Sequence, residues 1–123
     1  MTHTPKPAPL RQSEAREEFE FCAEQVLVRE MKRRKVTYAE LSARLAMLGI
    51  RETAGSLNRK VNRRRFQAGF LLACLKALGV EMLDIRDLEV SPAGREARLG
   101  REALAAQRLV MRRREPRRRK TEE

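Results

Sequence analysis

VTYAEL, residues 36–41, decides how this chain is to be folded. Thr37 stands three residues before Glu40, the spacing of a capping box, in which a hydroxyl and a carboxyl each satisfy a backbone N–H at a helix start. Val36 and Leu41 occupy the positions of a hydrophobic staple across the same turn. Tyr38, Leu41, Leu45 and Leu48 recur at helical spacing, and Gly49 is suited to the left-handed conformation that ends a helix. The spacing predicts a helix over residues 37–48.

Working outward, Ser13 is expected to open a long helix. Glu14, Glu17 and Glu18 lie near its start and Lys32, Arg33, Arg34 and Lys35 at its end, which suits the helix macrodipole at both termini. Phe19, Ala23, Val26, Leu27 and Met31 share its apolar stripe. Downstream, a helix is predicted over residues 53–63, with Ala54, Leu57 and Val61 inward and Glu52, Ser56, Arg59 and Arg63 outward. Asn58 and Asn62 flank the outer face on one side and Lys60 on the other. Gly55 weakens this helix by about 1 kcal/mol relative to Ala, and its missing side chain leaves room for another backbone.

Phe66 anchors the next connection. Phe70, Leu71, Cys74, Leu75 and Leu78 give a fourth helix closed by Gly79. VEMLDIRDL reads as a last turn or an extended segment, and Ser91-Pro92 as a break. Residues 94–114 form a basic helix with a thin apolar face of Leu99, Ala103, Ala106 and Val110. RRREPRRRK, residues 112–120, holds seven basic side chains in nine and is expected to be disordered when free. The resulting division is a disordered arm over 1–12, a helical domain over 13–90, and a basic helix and disordered tail over 91–123. The fold class expected is all-α, with four to five short helices.

Charge narrows the partners. The chain of 123 residues carries 28 Lys and Arg against 17 Asp and Glu. Residues 51–65 hold six basic groups and one acid, whereas residues 76–90 hold two basic groups and four acids. Such an asymmetric excess attracts polyanions. With aromatic residues at 4%, a binder of single strands that relies on base stacking is disfavoured.

Other classes find little support. Cys22 and Cys74 sit among apolar residues and read as small buried hydrophobes in a reducing cytosol. MTHTPKPAP lacks the apolar core of a signal peptide, so a cytoplasmic location is expected. His3, the one histidine, lies in the arm, so the domain has no imidazole base. No metal-ligand spacing and no phosphate-cradling glycine motif occurs. Asp84 and Asp87 read as an exposed acidic patch. No catalytic residues, no metal and no cofactor are expected.

The order Thr37-Tyr38-Ala39-Glu40-Leu41, Gly49-Ile50, Leu57, Val61, Ala77-Leu78-Gly79-Val80 resembles the helix-turn-helix of the Cro and phage-repressor class. VTYAEL, the LGI-x-ET turn, LNRKVNR and F-x-A-x-F-x-x-x-C-L-x-A-L-G are more similar still to short bacterial domains of unknown function with a repressor-like fold. The match covers about residues 24–81. RLAMLG makes helix two about one turn longer than that class usually has, and Lys35 and Arg64 stand where it commonly has Gly, which implies altered turns. The resemblance implies a helix-turn-helix bundle, in which one helix braces and the next enters the major groove.

Under that implication Ser56, Asn58, Arg59 and Asn62 are the base-reading candidates, since Arg pairs with guanine and Asn with adenine in two-point fashion. Lys60, Arg63, Arg64 and Arg65, with Arg112, Arg113 and Arg114 of the tail, are the phosphate candidates. Contact with about 6–10 phosphates would make affinity fall by about 10³ to 10⁵ between about 50 and 200 mM salt. The expected function is sequence-specific or semi-specific DNA binding in transcription regulation, on the nucleoid, with a homodimer among the expected states. Two other readings stay open: an RNA-binding accessory protein using the arginine-rich tail, and an antitoxin-like module that binds another protein.

Overall fold

A computed structural model describes residues 8–114 of the chain, except the side chain of Arg114. These residues form five helices and no strand: α1 (Gln12–Arg34), α2 (Tyr38–Met47), α3 (Ala54–Arg63), α4 (Ala68–Ala77) and α5 (Pro92–Arg114). The protein is all-α, and α1 and α5, at 23 residues each, correspond to the long first helix and the 94–114 helix expected. Contacts divide it into two units, Arg11–Glu89 with α1 to α4 and a second that carries α5. Residues 1–7 of the expected arm and 115–123 of the expected tail lie outside the described residues.

Local chemistry sets the helix boundaries. Thr37 caps α2, its Oγ1 accepting from the Glu40 N–H at 3.2 Å, and Thr53 caps α3 by accepting from the Ser56 N–H at 3.1 Å. Ser13 does not open α1. The helix starts at Gln12, where the Arg11 N–H donates to Glu14 Oε1 at 3.1 Å. Ser91-Pro92 starts α5 rather than breaking the chain. Ser91 Oγ accepts from the Gly94 N–H at 3.0 Å, and Pro92 takes the first helical position, where a missing N–H costs nothing.

Three helix ends share one device. Lys35, Gly49 and Gly79 are left-handed, and the following residue donates its N–H five residues back: Val36 to Met31, Ile50 to Leu45 and Val80 to Leu75, at 2.9 to 3.0 Å. This is the Schellman motif, whose trailing apolar residue folds back onto the helix. Val36 is buried in the core, and Ile50 and Val80 pack against it. Lys35 and Arg64, with φ of 54° and 60°, therefore adopt the conformation that Gly would, and the turns are kept despite the glycine losses.

The core gathers Leu27 and Met31 of α1, Leu41 and Leu45 of α2, Leu57 and Val61 of α3, and Cys74 and Leu78 at the end of α4. Two expected members lie elsewhere. Phe19 is 56% exposed because the buried apolar residues of α1 begin only at Val26. Leu48 is 48% exposed because the left-handed Gly49 turns the chain and seats Ile50 instead. The segment 80–90 has no regular structure, so Asp84 and Asp87 do not share a helical turn, and Asp84 pairs with Arg86 at 2.7 Å.

Lys35 and Arg64 differ in what they stand to lose. Lys35 is exposed and has no ion pair among the described residues, whereas Arg64 pairs with Glu24 and lies over the Phe21 ring, 5.0 Å from its centroid. A left-handed L-residue costs about 1–2 kcal/mol, part of which Gly gives back through its freer unfolded chain. Lys35→Gly should therefore raise stability by about 0.5–1 kcal/mol, and Arg64→Gly should lower it. Urea midpoints check both, and destabilisation by Lys35→Gly would contradict the left-handed geometry.

Candidate functional site

The sequence AGSLNRKVNR of α3 puts its two large apolar side chains, Leu57 and Val61, four residues apart on one face. Both are completely buried. Removing either would leave a cavity, and a Leu→Ala change at such a site costs about 2–5 kcal/mol. At about 100° per residue, that anchorage points Arg59 directly away from the core, with Gly55 and Arg63 within about 40° of it. Arg59 and Arg63 are exposed and have no ion pair among the described residues. A Cβ added at Gly55 would lie 3.7 Å from Arg59 Nη1, an ordinary contact, so the floor of this face is open.

Asn58 and Asn62 are exposed and hydrogen-bonded to each other, Asn62 Nδ2 donating to Asn58 Oδ1 at 2.9 Å. An amide oxygen has two lone pairs and an amide nitrogen two hydrogens, so each asparagine keeps both a donor and an acceptor for a further partner. The bond orders the two side chains side by side next to Arg59.

Ser56 and Lys60 are turned to another use. Glu52, Ser56 and Lys60 recur every four residues and form one row along the edge of α3. Ser56 Oγ donates to Glu52 Oε2 at 2.5 Å, and Lys60 Nζ makes an ion pair with Glu52 Oε1. Lys60 also lies 5.1 Å above the Phe70 ring of α4, and Ser42 of α2 donates to the backbone C=O of Glu52 at 2.5 Å. The row is thus a strut joining α2, α3 and α4. The Glu52 carboxyl is held below its usual range, first by the Lys60 hydrogen bond and then by that of Ser56.

The phosphate candidates divide in the same way. Arg63 and Arg65 are exposed and have no ion pair among the described residues, while Arg64 is half-buried against Glu24 and Phe21. Arg63 and Arg65 line a cleft of about 680 Å³ whose far side carries Arg16, Glu17 and Glu20 of α1. Arg16 was not legible as a member of this site, because nothing in its spacing relates it to residues fifty positions away. Arg112 and Arg113 are exposed near the end of α5, in the other unit.

The remaining reactive groups are quiet. Burial, and then the charge of Glu52, push the Cys74 thiol up to about 11. Burial, and then Glu18, raise Cys22, while burial, and then Glu24, raise Tyr38. Among the described residues no group of three or more His, Cys, Asp or Glu side chains is placed to hold a metal ion, and no helix is long and apolar enough to cross a membrane.

These features define a small all-helical protein whose third helix presents an exposed polar and cationic face. Residues 19–83 match the family model described as Domain of unknown function (DUF6471), and the chain belongs to that family. No curated protein matches the chain, and no solved structure does.

The strut has a pH signature. A carboxyl depressed in the folded state contributes stability that is present above its unfolded value and lost as pH falls through the folded one. Glu52→Gln removes this linkage, so the variant should be less stable than the natural chain near neutrality and lose less on acidification below about pH 4.5. Urea midpoints against pH report it. Parallel curves for the two proteins would mean the Glu52 row contributes no linkage.

Proposed function

We propose that this protein binds duplex DNA as a repressor-like helix-turn-helix regulator, with α2 bracing and α3 entering the major groove. One observation carries the reading: Leu57 and Val61 are sealed in the core while Arg59 and Arg63 stand exposed and unpaired among the described residues on the far side of the same helix. Arg59 would make a two-point contact with guanine, and the Asn58–Asn62 pair would meet adenine. Arg63 and Arg65 suit phosphates at the C-terminal end of α3. Ser56 and Lys60, held by Glu52, support the helix rather than touch the ligand.

The Thr53 cap and the Thr37 cap support the reading as well, since they fix where both helices begin. The family assignment supplies no activity, and a fold does not imply one. The reading therefore rests on the site.

Labelled duplexes of varied sequence, titrated at several salt concentrations, give the test. Arg59→Ala should cost about 1–3 kcal/mol on preferred duplexes and flatten the preference among sequences. Arg65→Ala should weaken all duplexes alike and make the slope of log affinity on log salt shallower by about 0.9. Duplex binding left unchanged by Arg59→Ala and Arg63→Ala together would remove α3 from the interface.

A further inference from the structure

α5 carries a feature that the reading of α3 does not use. Residues 103–113 are exposed without interruption, so about three turns of helix have no protein cover. Along this stretch and the turn before it, Arg101, Arg108 and Arg112 recur at i, i+7 and i+11. At about 100° and 1.5 Å per residue they fall within about 40° of one line and span about 16 Å. All three are exposed, and none has an ion pair among the described residues.

The thin apolar row of Leu99, Ala103, Ala106 and Val110 lies on the opposite side of the helix. Leu104, Leu109 and Met111 are exposed as well, but at about 100° per residue they point to other sides of the helix, so no continuous apolar face is offered to a lipid surface, whose binding scales with buried apolar area. A second copy of this helix would moreover add like charge to like.

We infer that the Arg101, Arg108 and Arg112 stripe of α5 is a second contact surface for the phosphate backbone of duplex DNA. It acts without reading bases and is separate from α3. A guanidinium row of this length suits a backbone that carries one charge per about 1.7 Å of duplex axis. The spacing is that of a helix face, so the three charges are presented together only when the segment is helical, as it is here. The inference rests on duplex DNA being the ligand but not on α3 being the reading helix.

The test compares the full chain with a triple variant, Arg101→Gln, Arg108→Gln and Arg112→Gln, and with the matching triple Lys variant, each first checked for unchanged helix content and melting. Binding to a random-sequence duplex is measured against salt. The Gln variant should have a slope of log affinity on log salt shallower by about 2–3, from about 0.9 per lost phosphate contact. The Lys variant should keep the natural slope, and the order of preference among sequences should be the same in all three proteins.

A natural chain that binds duplex while the Gln variant keeps its slope overturns the α5 assignment and leaves the DNA reading standing. A natural chain that binds no duplex overturns both. Capture of the natural chain by phosphatidylserine vesicles, lost in the Gln variant while duplex affinity is unaltered, would assign the stripe to a lipid surface and overturn it too.

Discussion

The candidate site depends on the sealing of Leu57 and Val61 in the core. α3 has only ten residues, and a helix of that length has little stability of its own in water. Its two large apolar side chains, both fully buried, supply the packing that holds it and also fix its roll about the long axis. Once the roll is fixed, the identity of every outward residue follows from the helical repeat. The Glu52, Ser56 and Lys60 row braces the same orientation from the edge, tying α3 to α2 through Ser42 and to α4 through Phe70.

This arrangement divides the positive charge into two kinds. Of the six basic residues in 51–65, Lys60 and Arg64 are engaged with Glu52 and Glu24. Arg51, Arg59, Arg63 and Arg65 stay exposed without an ion pair among the described residues. The engaged pair stiffens the ends of the helix, and the free ones give the surface its field. Net charge alone therefore overstates what α3 offers to a polyanion, and the neighbouring Glu17 and Glu20 reduce it further at the C-terminal end. The same division explains why a left-handed arginine persists at position 64, where its backbone strain is offset by the Glu24 and Phe21 contacts.

Much of the helical scheme was legible because it is written in short-range chemistry. Thr37 as a cap, Gly49 and Gly79 as helix ends, and the inward Leu57 and Val61 all depend on neighbours within five residues. Sequence spacing gave less away where distant parts decide the outcome. Phe19 continues the apolar stripe of α1 but lies before the part of that helix that meets the core. Pro92 looks like a break and is instead a helix start, which depends on Ser91 turning its hydroxyl back to Gly94. Lys35 hides a Schellman turn because lysine rarely adopts positive φ. In the site, the four-residue spacing of Glu52, Ser56 and Lys60 was visible, but its meaning required Phe70 and Ser42 to be brought alongside.

Whether Arg59 and Arg63 are the arginines that meet duplex DNA is reported directly by the guanidinium signals of the protein. Nuclear magnetic resonance of the arginine Nε–H groups, followed while a short duplex is titrated in at low salt, distinguishes exposed arginines from engaged ones. The account predicts that the Arg59 and Arg63 signals shift and sharpen while the Arg64 signal, held by Glu24, stays in place. Unmoved Arg59 and Arg63 signals at saturating duplex would contradict it.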